Sequence, residues 1–169
     1  MALSTYRLSI PVFRRGFGVL SEALHKAEAF AQEQRLAPDT LIGARLAPDM
    51  LPLAGQVQRA SDTSKNAVVR IIGRPAPSMA DDEATFAELQ ARIARTLAYF
   101  DGVDPEAFEG RGETEIVLKF GKVQATLTAD EYLLQFALPN FFFHIATAYD
   151  ILRHAGLPIG KADYLGKFD

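Results

Sequence analysis

The sequence predicts an all-α domain: a four-helix bundle with one small β-hairpin between its third and fourth helices. Apolar residues recur at alternating steps of three and four through four long segments, which is the pattern of helices with one buried stripe. Between Ile116 and Leu127 the period falls to two, the pattern of a strand pair. The breaks between segments are rich in Pro, Gly and Asp, residues that end helices and build turns.

At 169 residues the chain fits a single domain, 1–169, and a chain of this size buries roughly 70% of its unfolded surface. Lys and Arg total 18 against 21 Asp and Glu, so the net charge is −3 and no basic footprint for nucleic acid or an anionic membrane is present. Cysteine is absent, which excludes disulfides, thiolate metal sites and a cysteine nucleophile. Arg7, Pro11, Arg14 and Arg15 interrupt the N-terminal stretch, and no run reaches the ~18 apolar residues a membrane span requires. The expectation is a soluble cytoplasmic protein.

The first helix is expected from about Tyr6 to Gln34, on a stripe of Ile10, Phe13, Phe17, Leu20, Leu24, Ala27 and Ala31. Pro11 falls near its start, where a missing donor costs least. Gly16 and Gly18 suggest close approach of a neighbouring helix. Two Ala-Pro-Asp turns, at 37–39 and 47–49, bracket a connector carrying Leu41 and Ile42.

A second helix, about Met50 to Gly73, places Met50, Leu53, Val57, Ala60, Ser64, Ala67, Val68 and Ile71 inward. Gln56, Arg59, Thr63, Asn66 and Arg70 then fall on the opposite side. With Met50 as origin, Gln58 lies on a flank that reaches the interior and Gln56 does not. The third helix has the stripe Phe86, Leu89, Ile93, Leu97 and Phe100, with Asp81, Asp82 and Glu83 complementing its positive end. Val103 to Gly112 reads as a surface loop.

In the hairpin, a turn at Gly121-Lys122 sets Phe120 against Val123, Leu118 against Ala125 and Ile116 against Leu127. Thr128-Ala-Asp-Glu131 is a capping-box pattern that starts the fourth helix. Pro139 predicts a kink, or a restart at Asn140, and the helix closes at Gly156-Leu-Pro158. Phe141, Phe142 and Phe143 point in three directions, which predicts the most buried helix of the bundle. Tyr164, Leu165 and Phe168 predict a tail docked on the surface.

Asn140 and His144, at i and i+4, share one face of the fourth helix and could converge with Gln58 as a polar site between helices. The plainer alternative is that His144 is a hydrogen-bonded core histidine and Asn140 satisfies backbone freed by Pro139. Asp150 and His154 repeat the i, i+4 spacing as a candidate acid-base couple, yet exposed pairs are ordinary in the last turns of a helix. His25 reads as surface. Gly160-Lys161 lacks the upstream glycine and following hydroxyl residue of a phosphate-binding loop.

Leu133 to Gly156, ending Asp-Ile-Leu-Arg-His-Ala-Gly, resembles the fourth helix of the DinB-like (DinB/YfiT-like) superfamily of metal-dependent enzymes. Ala47-Pro-Asp-Met-Leu-Pro-Leu, Pro139-Asn-Phe-Phe-Phe-His144, Ala148-Tyr-Asp-Ile-Leu-Arg153 and Gly160-Lys-Ala-Asp-Tyr-Leu-Gly166 resemble a branch of it known as a domain of unknown function. The resemblance implies an up-down-down-up bundle. It also implies a His on the second helix and a His-x-x-x-His pair on the fourth, binding Ni or Zn for thiol-dependent transferase or isomerase chemistry. Counting back from Arg153, His144 matches the second His of the pair and Asn140 the first. Gln58 matches the His of the second helix, with Gln56 the other candidate. Only one of three ligands is retained, so the implied metal site of His144, Asn140 and Gln58 is degenerate. The expected function is a homodimeric DinB-like module binding a small molecule or partner, with Zn or Ni held only if that site is functional. The alternative is a metal-dependent transferase or isomerase using a low-molecular-weight thiol.

Overall fold

The structure is a computed structural model and describes residues 4–167. In chain order the elements are α1 (Thr5–Glu33), α2 (Pro38–Ile42), α3 (Leu53–Ile72), α4 (Phe86–Asp101) and a short 3₁₀ turn (Pro105–Phe108). They are followed by β1 (Glu115–Phe120), β2 (Val123–Thr128), α5 (Ala129–Tyr132), a π-helical turn (Leu133–Ala137), α6 (Leu138–His154) and α7 (Lys161–Leu165). The long helices α1, α3, α4 and the α5–α6 rod surround one continuous core.

Side-chain pairs fix the helix directions. Arg14 with Asp101 and Ser21 with Gln90 set α1 antiparallel to α4. Asp62 with Arg92, and the Arg74 carbonyl with the Tyr99 hydroxyl, set α3 parallel to α4. Gln56 with His144 and Thr63 with Asn140 set α3 antiparallel to α6. Thr5 with Asp130, then Phe13 and Phe17 with Phe141, set α1 parallel to the α5–α6 rod. The bundle therefore runs up-down-down-up, and α3 lies between α4 and α6.

The α1 stripe is buried as expected. Pro11 lies inside the helix, and both it and Arg7, whose carbonyl loses its donor, are exposed, so water can serve the freed oxygen. A Cβ on Gly16 would lie 2.4 Å from Phe141 Cε1, which shows how closely α1 approaches α6 there. Nothing lies within 4 Å of the corresponding position on exposed Gly18, so only Gly16 serves helix approach. The connector folds as α2, burying Leu41 and Ile42.

Because α3 and α4 run parallel, residues 73–85 must return along their length. Gly73, at φ 74°, turns the chain out of α3. The return strap is tied down by Tyr99 on the Arg74 carbonyl, Lys65 on the Pro77 carbonyl and Arg92 on the Ala80 carbonyl. Arg92 is fully buried and meets Glu83 at 2.9 Å, Asp81 at 3.0 Å and Asp62 at 3.0 Å. Asp81 and Glu83 thus neutralise this arginine instead of facing the α4 terminus, where Thr85 and Glu88 form the capping box.

The hairpin has the expected register: Ile116 pairs with Leu127, Leu118 with Ala125 and Phe120 with Val123. Ile116 and Leu118 are buried, Val117 on the other face is exposed, and the side chains of Phe120 and Val123 lie outside the described residues. The 103–112 loop contains the 3₁₀ turn, whose buried Phe108 packs edge-on to Tyr6. Thr128 and Glu131 form the expected capping box.

The break expected at Pro139 is a π turn just before it, and α6 starts at Leu138, not at Asn140. The π turn bonds the Leu138 N–H to the Leu133 carbonyl, and Pro139 then falls in the first turn of α6, where no intrahelical donor is needed. The extra residue also sets register. Eight residues separate Tyr132 from Asn140, seven separate Thr63 from Arg70, and both pairs still face each other across α3 and the α5–α6 rod. Two turns hold about seven residues in a regular helix, and one wide turn supplies the eighth.

α6 is not buried all round. Phe141 is fully enclosed, Phe142 is half-buried and Phe143 is 55% exposed, because α6 packs mainly on α1 and α3 and not all round. Tyr164 of α7 packs edge-on to Tyr149, Leu165 is exposed, and Phe168 lies outside the described residues. Among the described residues no helix is long and apolar enough to cross a membrane.

Candidate functional site

Three polar rungs join α3 to the α5–α6 rod, two on α6 and one on α5. His144 Nδ1 lies 2.8 Å from Gln56 Oε1, the Asn140 amide donates to Thr63 Oγ1 at 2.8 Å, and Arg70 donates to the Tyr132 hydroxyl at 3.4 Å. Gln56, Thr63 and Arg70 are each seven residues apart and so share a helix face. Gln56 is 1% exposed and His144 9%.

This corrects the expected placement of the two glutamines. Gln58 is half-buried and donates to Glu83 at 3.0 Å, on the side of α3 that faces the strap and α4. Gln56 is the residue against His144. Met50 precedes α3, and using it as origin rotated the helix. From Leu53, the first helical residue, Gln56 lies about 60° away and Gln58 about 140° away at 100° per residue. Thr63, also assigned to the outer face, is buried because α6 covers that flank.

Gln56 is held at both ends. Its amide nitrogen donates to the Leu51 carbonyl at 2.9 Å, so its oxygen must face His144. An amide oxygen only accepts, so Nδ1 carries the proton of the His144–Gln56 bond. Burial, with a smaller contribution from the charge of Arg59, lowers the His144 pKa to about 4. The ring is neutral at pH 7. Arg59 is itself paired with Asp62 and Asp81. Asn140 is spent on Thr63, so it neither joins His144 nor repairs backbone near Pro139.

These residues do not fit Zn or Ni. The single imidazole is accompanied by two neutral amides, and each amide is already engaged in a hydrogen bond. An amide supplies neither the charge of a carboxylate nor the donor strength of imidazole. Among the described residues no group of three or more His, Cys, Asp or Glu side chains could hold a metal ion.

The other singled-out residues form no second site. Asp150 and His154 are exposed in the last turns of α6, and His25 is exposed on α1. A groove of about 700 Å³ runs between α1 and the α7 segment, lined by Arg15, Gly18, Val19, Lys26, Asp163 and Lys167 among others. Its charges hold the tail: Arg15 donates to the Leu165 and Lys167 carbonyls, and Lys26 pairs with Asp163. The hydrogen-bond chemistry at His144 is the better guide to a site.

A family profile described as Domain of unknown function (DUF1993) matches residues 5–165. The chain belongs to the DUF1993 family. A crystal structure of a DinB family member protein from Shewanella denitrificans is 40% identical to this DUF1993 chain, with a TM-score of 0.89, covering 96% of this chain and 92% of that one. The DUF1993 fold here is therefore DinB-like. No curated protein matches the chain.

Sequence reasoning ranked Gln56 behind Gln58 and missed Arg92. A signal for Arg92 was present: Leu89, Arg92, Ile93 and Thr96 fall on one helix face, so an arginine stood within a core stripe and required buried carboxylates.

Proposed function

We propose that this DUF1993 protein is a binding module for a small molecule or a protein partner, in which the metal position of the DinB-like bundle has become a hydrogen-bonded glutamine–histidine pair. The observation that carries this reading is the 2.8 Å contact between His144 Nδ1 and a Gln56 amide anchored on the Leu51 carbonyl. A metal site needs convergent lone pairs, whereas here the Gln56 lone pair is used by the imidazole proton. Leu51 and Phe143, flanking the pair in sequence and both exposed, supply apolar surface for an occupant. A homodimer is part of the proposal, with a second copy of the chain as one such occupant.

Elemental analysis of protein purified without chelator, followed by Zn and Ni titration, tests the reading. Substoichiometric metal is expected. Replacing Gln56 and Asn140 together by His should create a metal-binding protein, with stability rising by about 2.7 kcal/mol at a metal concentration one hundred times Kd. The Gln58→His/Asn140→His variant should gain much less. One tightly held transition metal per wild-type chain would refute the proposal and favour the thiol-dependent transferase.

A further inference from the structure

We propose that Gln56 fixes His144 as its Nδ1–H tautomer, and that the open Nε2 lone pair accepts a hydrogen bond from a neutral donor, a hydroxyl or amide N–H, carried on an apolar part of a bound molecule. This rests on the binding-module reading and names the class of ligand.

The tautomer follows from the bond directions. A carbonyl only accepts, so the Leu51 carbonyl draws the amide nitrogen of Gln56 and turns its oxygen to the imidazole. Nδ1 must then be the donor and Nε2 the acceptor. His144 is nine-tenths buried, yet Nε2 has no hydrogen-bond partner among the described residues. It is not sealed in either: Arg92 Nε is the fully enclosed, partnerless side-chain atom among the described residues. Nε2 is therefore a fixed acceptor that is not fully enclosed.

The surroundings select the partner. The exposed Phe143 ring stands edge-on to His144 with centroids 5.3 Å apart, providing apolar contact beside the imidazole. Arg59 places positive charge near the ring, which disfavours an ammonium donor. A carboxylate anion offers only acceptor oxygens, which would face the Nε2 lone pair. A neutral donor on an apolar body meets all three conditions.

Long-range ¹H–¹⁵N correlation spectra of the ¹⁵N-histidine-labelled full chain read the tautomers of His25, His144 and His154 directly. Wild type should show His144 protonated at Nδ1. Gln56→Glu should keep that tautomer because a carboxylate also accepts, and Gln56→Leu should release it. With phenol as the probe, the His144 Nε2 resonance should shift, and phenol should bind roughly three- to tenfold more tightly than toluene, the margin of one net hydrogen bond. Benzylammonium and benzoate should leave Nε2 unmoved. An Nε2–H tautomer in wild type, or an Nε2 resonance unmoved by phenol, would overturn the inference without recourse to any variant. One zinc per chain at His144 would instead defeat the binding-module reading while leaving the tautomer intact, so the two failures are distinguishable.

Discussion

Gly16→Ala and Gly18→Ala make the same chemical change two residues apart in α1, and the structure assigns them opposite outcomes. A Cβ at position 16 would lie 2.4 Å from Phe141 Cε1 and 2.8 Å from Cζ, well inside the ~3.5–4 Å of a normal carbon contact. Phe141 is fully buried and held edge-on by Phe13 and Phe17, with centroids 5.0 and 5.2 Å away, so its ring cannot swing aside freely. Overpacking of this kind costs about 1–3 kcal/mol. Both variants gain up to about 1 kcal/mol from replacing a helical glycine, and nothing opposes that gain at position 18. The propensity terms cancel in the difference, which leaves Gly18→Ala more stable than Gly16→Ala by about 1–3 kcal/mol. Urea unfolding at constant m-value measures this gap, and thermal midpoints should separate by about 2–4 °C per kcal/mol. Adding Phe141→Leu to Gly16→Ala should recover part of the loss through a coupling above about 0.5 kcal/mol. Equal stabilisation by the two alanines would show that α1 and α6 do not meet at Gly16.

Three further outcomes are expected. The His144 pKa is lowered from 6.5 to about 4, so the fold favours the neutral ring. Its contribution is complete above about pH 6.5 and is lost as pH falls toward 4, and wild type should lose up to about 3 kcal/mol more than His144→Gln over that window in urea melts. An equal loss in both proteins would exclude a depressed His144. Arg92→Ala leaves buried Glu83 with only the exposed Arg95, 3.9 Å away, as counter-charge and should cost about 3–5 kcal/mol, measured by the same melts, while Arg95→Ala should cost under about 1 kcal/mol. Gly121, at φ 57° in the hairpin turn, should not tolerate a β-branched side chain: Gly121→Val is expected to lower stability by more than about 1 kcal/mol, and an unchanged melting temperature would place the turn elsewhere.

Much of the fold was legible because its signals are local. The hairpin register followed from alternation around Gly121-Lys122, and the Thr128–Glu131 capping box from residue types three apart. The direction of every long helix agreed with the DinB-like resemblance. The features that escaped depended on neighbours. Gln56 and Thr63 look solvent-facing until α6 covers their flank, and Met50 looks helical until Pro52 proves to be the N-cap of α3. Phe143 looks buried by composition, but its side chain stands 55% exposed. The two acids of the strap, Asp81 and Glu83, suit a helix terminus equally well on sequence alone. Only the parallel course of α3 and α4 brings them to Arg92.

The wide turn at Leu133–Ala137 makes chain length at this point a variable of the fold. It holds one residue more than a regular helical turn, so deleting any one of its residues would let the rod close toward a plain α-helix, leaving without a donor the one carbonyl that Pro139 cannot serve. The bundle ends of α1, α3 and α6 would be indifferent, and His144 would keep its place against Gln56. The segment on the N-terminal side of the deletion would turn by about 100° relative to α6. Tyr132 would leave Arg70, and Asp130, which joins Thr5 of α1, would swing away with the hairpin behind it. In a relative lacking one residue here, the sheet would sit at another azimuth around the bundle while the glutamine–histidine pair stayed fixed. Hairpin and site are in this sense separately adjustable parts of one chain.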